Sequence, residues 1–200
     1  MKVQEFDRTK DSVYYSGPYW DNDEIVALFE TVLSGKWLTC GAKVDKFERN
    51  FSKKFGHTSS VMVNSGSSAN LVMIAALKKY FSWNDDDEVI VSTVGFPTTI
   101  APLIQNKLKP VFTDINMQDL NFDIHEVENK ITNNTKAIFI SPVLGNPPDM
   151  DKLVLISKKF GISLLLDNCD SLGSKWDKKK LTEFVVSSTC SFYPAHHITT

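Results

Sequence analysis

The feature that most restricts the fold is an alternation. Six short apolar runs occur at "SVMVN" (60–64), "EVIVS" (88–92), "PVFTD" (110–114), "AIFIS" (137–141), "SLLLD" (163–167) and "TCSFY" (189–193). Between them lie helix-like stretches, "SSANLVMIAALKKYF", "TTIAPLIQN", "FDIHEVENKI" and "MDKLVLISKKFG". Strands this continuously apolar need cover on both faces, which helices packed on either side of a parallel sheet provide. The spacing therefore predicts an α/β fold with a mostly parallel sheet and helices on both faces. Two helices are expected ahead of it. "DNDEIVALFETVLSG" opens on capping acids and closes on glycine, while "VDKFERNFSKKFG" puts Val44, Phe47, Phe51 and Phe55 on one face and stops at Gly56. The first twenty residues, with Tyr14, Tyr15, Gly17 and Pro18, read as an irregular arm.

Composition narrows the class. An apolar share of 42% against 23% charged residues is that of a globular protein with a real core. A net charge of −2 with scattered lysines offers no basic stripe for nucleic acid. No apolar run approaches the roughly 20 residues of a membrane span, and "MKVQEFDRTK" has no secretory apolar core. Cys40, Cys169 and Cys190 are far apart and form no CxxC, which speaks against a disulfide framework and for a reducing cytoplasm.

Four stretches can carry chemistry. In "VNSGSSAN" a strand is expected to run through Gly66, Ser67 and Ser68 straight into a helix. Such a helix start binds phosphate through free N–H groups, or is simply serine-capped. It has no P-loop lysine. In "LLLDNCDSLGS" a buried strand delivers Asp167 to its carboxyl end, where parallel sheets hold ligands, with Asp170 three residues on. A carboxylate there binds metal, caps a helix or pairs with a cationic ring nitrogen; no His or Cys is spaced to complete a metal site. Phe96 follows the second run, placed either to stack on a flat cofactor or to fill the core. Ser191 and His196 follow the last run. The side chains of His196 and His197, being neighbours, diverge, so one of them faces a site and a metal pair is not expected.

In this order the stretches resemble the DegT/DnrJ/EryC1/StrS sugar aminotransferase family of fold type I. "LTCGAKVDKFERNFSKKFG", "NSGSSAN", "LGNPPDMD" and "LDNCDSLGS" are similar to its opening segment, phosphate loop, G-x-x-x-D-M turn and aspartate-bearing strand. The resemblance implies a pyridoxal-phosphate fold and the following roles. Asp167 pairs with the pyridine nitrogen and Asp170 sits near the ring hydroxyl. Gly66, Ser67, Ser68 and Ser191 hold the phosphate, and Phe96 covers a ring face. Counting from "SFYPA", His196 occupies the position of the family's Schiff-base lysine, and His197 is a supporting or substrate-side residue.

Histidine at that position is the mark of the family's 3-dehydratase branch. Imidazole cannot form a stable imine, so the cofactor is held non-covalently and works as pyridoxamine 5'-phosphate. Histidine, whose side chain ordinarily titrates at about 6.5, is a residue type suited to proton transfer near neutral pH. The implied reaction is C3 dehydration of a nucleotide-linked 4-keto-6-deoxyhexose in dideoxysugar and O-antigen biosynthesis. The sugar carries CDP or, without a cluster, GDP. In the CDP branch a 2Fe–2S cluster, bound by residues beyond this chain, takes electrons from a flavin/iron-sulfur reductase.

Residues 1–56 are then the arm and first helices, and 57–200 an incomplete cofactor-binding large domain. The chain stops just after a strand and its turn, so the small C-terminal domain is expected beyond Thr200. A homodimer with shared sites is implied. A catalytically silent fragment of the same fold, or an aminotransferase using another lysine, are the competing expectations; no lysine follows Lys180.

Overall fold

Parallel strands point their carboxyl ends the same way, and here five of them do so in one sheet. The structure, a computed structural model, describes residues 7–12, 21–35, 39–196 and 198. The helices are α1 (Asn22–Leu33), α2 (Ala42–Phe55), α3 (Gly66–Tyr80), α4 (Pro97–Gln105), α5 (Ile124–Asn129) and α6 (Met150–Phe160). The strands are β1 (Glu88–Ser92), β2 (Lys109–Thr113), β3 (Thr135–Ile140), β4 (Ser163–Asp167), a small hairpin of β5 (Lys175–Trp176) and β6 (Lys179–Lys180), and β7 (Ser187–Thr189). The main sheet runs β2-β1-β3-β4-β7, every pair parallel.

Strand side chains alternate between faces, and the two halves of the core divide along that parity. Val89, Val91, Ala137, Phe139 and Leu165 pack with Met73, Ile74 and Leu103 of α3 and α4. Ile90, Ile138, Ile140, Leu164 and Leu166 pack with Val127 of α5 and Met150, Leu153 and Ile156 of α6. Asp167 has the parity of Leu165, so its side chain is sent toward α3 and α4.

Helix ends follow local chemistry. Asp21 and Glu24 form a reciprocal capping box on α1. Asp149 caps α6, and Gly56 and Gly161 end α2 and α6 in the left-handed conformation. Along α2, Phe51 stacks 5.6 Å from Phe47 and 4.6 Å from Phe55, and Phe192 meets Phe47 edge-on at 5.3 Å. The chain after β7 is thereby tied to α2. α1 keeps its expected span but contributes no buried residue, leaving Leu28, Phe29 and Val32 exposed.

Two expected strands are corrected. Residues 60–64 form no strand. Their polar groups turn to α2: the Met62 N–H donates to Glu48 Oε1 at 2.6 Å and the Ser60 hydroxyl to the Glu48 carbonyl at 2.6 Å. The last run pairs through Ser187–Thr189 rather than 189–193. Its partner β4 ends at Asp167, opposite Thr189, so Cys190–Tyr193 has no ladder to join. The arm residues Tyr14, Tyr15, Gly17 and Pro18 lie outside the described residues.

His57 clips the turn after α2 to β7, its Nε2 lying 2.7 Å from Ser188 Oγ. Burial holds its ring below the ordinary value of 6.5. The unfolded chain therefore takes the proton first as pH falls, and stability present above about pH 6.5 is lost on acidification below it. His57→Gln should flatten that decline in urea midpoints measured between about pH 5 and 7. Leu165, fully buried one turn of the pleat below Asp167, should cost about 2–5 kcal/mol when replaced by Ala, read by urea unfolding with tryptophan fluorescence.

Candidate active site at the carboxyl edge of the sheet

Asp167 leaves the end of β4 only 4% exposed, and a carboxyl so placed needs donors. Its Oδ2 accepts from Asn70 Nδ2 at 2.8 Å and from Thr99 Oγ1 at 2.7 Å, while Oδ1 accepts the Cys169 N–H at 3.3 Å. Asn70 lies on the buried stripe of α3 with Met73 and Ile74, and Thr99 in the first turn of α4. The Asn70 carbonyl oxygen accepts from Thr189 Oγ1 at 2.6 Å, which joins β7 to the same network.

The start of α3 abuts this carboxyl. Ser65 is the N-cap: its Oγ accepts the Ser68 N–H at 3.1 Å and donates to Ser68 Oγ at 3.2 Å. The N–H groups of Gly66 and Ser67, first in the helix, have no carbonyl of their own helix to bond. Gly66 is buried against the chain that follows β7. A Cβ there would lie 2.7 Å from Ser191 Cβ and 3.1 Å from Cys169 Sγ, so glycine is what lets the helix start reach this depth. Ser191 Oγ accepts the Tyr193 N–H at 3.2 Å and stays in place beside Gly66. Ser67 is exposed and Ser68 half-buried, both at the helix mouth.

Phe96 stands immediately before α4 and is 66% exposed, so it does not fill the core. His196 ends a short 3-10 turn, Pro194–His196, with its ring 5.8 Å from that of Tyr193. Its Nε2 lies 3.5 Å from Asp170 Oδ1, and its buried Nδ1 has no hydrogen-bond partner among the described residues. The loop bearing Asp170 rests on Gly145, where φ is +80° and a Cβ would meet the Asp170 carbonyl at 3.0 Å. His197, expected in a supporting role, lies outside the described residues.

The structure thus brings Gly66 against Ser191 and Cys169, the latter hydrogen-bonded to Asp167, and sets Asp170 beside His196; Ser67 and Ser68 stand in the first turn of α3, and Phe96 just before α4, whose Thr99 reaches Asp167. The donor set fits a pyridoxal-type group. A helix start with free N–H groups, a buried carboxyl, an uncovered aromatic ring and a buried imidazole nitrogen with no partner among the described residues are the kinds of group that such a ligand requires. Burial pushes the Cys190 thiol up to about 12 and the Cys169 thiol higher still, so both stand protonated at neutral pH. Among the described residues no three His, Cys, Asp or Glu side chains come together as metal ligands, and no helix is long and apolar enough to cross a membrane.

Sequence reasoning missed Asn70, Thr99 and Thr189. A signal existed for Asn70: it opens the otherwise apolar 70/73/74/77 stripe of α3, where an amide must answer to another buried polar group. Thr99 and Thr189 carried no such signal, because threonine suits both a helix start and a strand.

Known proteins are similar to this chain over most of its length. The DegT/DnrJ/EryC1/StrS aminotransferase family matches residues 20–200. A dTDP-4-dehydro-2,6-dideoxy-D-glucose 3-dehydratase from Saccharopolyspora spinosa is 39% identical over 188 residues, covering 92% of this chain and 40% of that protein. A GDP-4-keto-6-deoxy-D-mannose 3-dehydratase from Yersinia pseudotuberculosis is 39% identical over 183 residues, 90% of this chain and 46% of that one. The solved E coli GDP-4-keto-6-deoxy-D-mannose-3-dehydratase with bound hydrated PLP superposes with a TM-score of 0.86 at 39% identity, covering 94% of this chain and 49% of that chain. The chain spans about half the length of the curated relatives it matches. On the strength of a match that runs from the arm to the last residue, the chain belongs to the DegT/DnrJ/EryC1/StrS aminotransferase family.

Proposed function

We propose that this chain is the cofactor-binding part of a nucleotide-sugar 3-dehydratase, with residues 57–200 as the large domain and 1–56 as its arm and first helices. The observation that carries the reading is His196, whose buried Nδ1 has no partner among the described residues and whose Nε2 faces Asp170, three residues beyond Asp167. Residues 181–200, the stretch that carries His196, contain no lysine that could form an imine with the cofactor.

When bound, pyridoxamine phosphate supplies an amino group to the sugar ketone and a ring that withdraws electrons. The chain's residues do the rest. The N–H groups of Gly66 and Ser67, with the hydroxyls of Ser67, Ser68 and Ser191, bind the phosphate. Asp167 Oδ1 holds the ring nitrogen, Phe96 shields a ring face, and Asp170 orients His196 through Nε2. His196 would be the group to take a proton at the exocyclic carbon beside the ring and to return it to the C3 hydroxyl, which would then depart as water.

The sugar is a nucleotide-linked 4-keto-6-deoxyhexose. GDP is favoured as its carrier, because GDP-4-keto-6-deoxy-D-mannose 3-dehydratases recur among the similar proteins, at 39% and 41% identity. A CDP-linked substrate would bring with it a 2Fe–2S cluster on residues outside this chain and a flavin/iron-sulfur reductase. A cytoplasmic homodimer in lipopolysaccharide or O-antigen synthesis completes the reading; a relative from Salmonella typhimurium, 38% identical, is a lipopolysaccharide biosynthesis protein.

The test is chemical. Pyridoxal phosphate bound to the chain should leave no covalent adduct after borohydride, by intact mass, whereas His196→Lys should acquire one. Adduct on the unaltered chain would point to an aminotransferase, and no uptake of either cofactor form to a silent fragment. In the full-length enzyme His196→Asn should lower dehydration of the sugar by about a hundredfold or more. Gly66→Ala, forcing a methyl onto Ser191, should weaken pyridoxamine phosphate binding and cost about 1–3 kcal/mol of stability, read by fluorescence titration and urea melts.

A further inference from the structure

We infer that Asn70 is a positioning residue that fixes which oxygen of Asp167 is turned toward the ligand's ring nitrogen. The inference rests on the proposed function and deepens it. Asn70 is 1% exposed, so each of its polar atoms must find a partner inside the protein. Its Nδ2 donates to the Thr98 carbonyl at 3.0 Å and to Asp167 Oδ2 at 2.8 Å, and its Oδ1 accepts from Thr189 Oγ1 at 2.6 Å.

The amide has only one workable orientation. The Thr98 carbonyl can only accept, so the atom facing it is the NH2 group, and that same group meets Asp167. Thr99 Oγ1 lies 2.7 Å from the same Asp167 oxygen. Oδ2 is therefore engaged from two sides. Oδ1 receives the longer 3.3 Å contact from the Cys169 N–H, two residues along its own chain, and the Cys169 thiol also hydrogen-bonds to this carboxyl. A cationic N–H arriving at the cleft meets Oδ1 with room for a short bond, while Oδ2 is held back in the protein.

Packing alone would not select this residue. A leucine at 70 would complete the stripe that Met73, Ile74 and Leu77 make against the sheet. An amide at this depth is favoured only if all its bonds are made, and they run to α4, β4 and β7 at once. Thr189 is the register neighbour of Asp167, so the network holds two strand ends at fixed spacing.

The test reads Asp167 directly. Infrared spectra of the chain carrying 13C-labelled aspartate, differenced against Asp167→Asn, give its carboxyl band; pyridoxamine phosphate affinity and ring absorbance are titrated in parallel. Asn70→Leu should shift the band and weaken binding about tenfold or more. Thr189→Val keeps the shape but releases the Asn70 anchor, and should move both readouts the same way by less; it carries the test if Asn70→Leu does not fold. A loss of thermal stability with an unmoved band and unchanged affinity, in whichever variant folds, would mean a purely structural role and overturn the inference alone. Failure of the unaltered chain to bind pyridoxamine or pyridoxal phosphate would overturn the functional reading and this inference together.

Discussion

A carboxyl group at the buried end of a parallel strand must be answered by donors from the neighbouring layers. Asp167 is answered by α3 and α4 through Asn70 and Thr99, with Thr189 of β7 behind Asn70. Alternation along β4 decides this: with Leu165 facing α3 and α4, the next residue of that parity has to face them too. The same parity sets the order of events from sequence to site. Apolar strands force the two-sided sheet, the sheet fixes which helices flank its carboxyl edge, and the starts of α3 and α4 supply the polar groups there. Chemistry at this edge is thus a by-product of how the core is packed.

Around that carboxyl the site is built from constraints of different kinds. Gly66 contributes a missing methyl, which lets a helix start press against Ser191 and Cys169. Gly145 contributes a left-handed turn under the loop of Asp170. Phe192 contributes anchorage, because its contacts with Phe47 and Phe51 set where the chain goes before it reaches His196. Substituting imidazole for amine changes what such a scaffold can do without altering the scaffold. Under the proposed function the fold would keep its phosphate cradle and ring partner, and the group at 196 would decide between covalent capture and proton transfer alone.

Much of this was legible in the residues. Strand-length apolar runs and helix caps gave the alternation, and β1, β2, β3 and β4 lie within about two residues of their expected spans. Runs at 60–64 and 189–193 misled for one shared reason: an extended apolar segment becomes a strand only where a partner lies alongside, and period and composition do not reveal partners. Asp167, Gly66 and His196 could be singled out because their types are unusual in their settings. Thr99 and Thr189 could not, since their roles arise from distances between elements 68 and 119 residues apart from their partners in the chain. The exposed apolar face of α1 was equally hidden, because its sequence pattern is that of any core-facing helix.

The crowding at the start of α3 has an evolutionary corollary. Gly66, Cys169 and Ser191 come from a helix, a strand end and the chain beyond β7, yet they share one small volume. Enlarging any of the three requires trimming another, so these positions drift as a set or not at all.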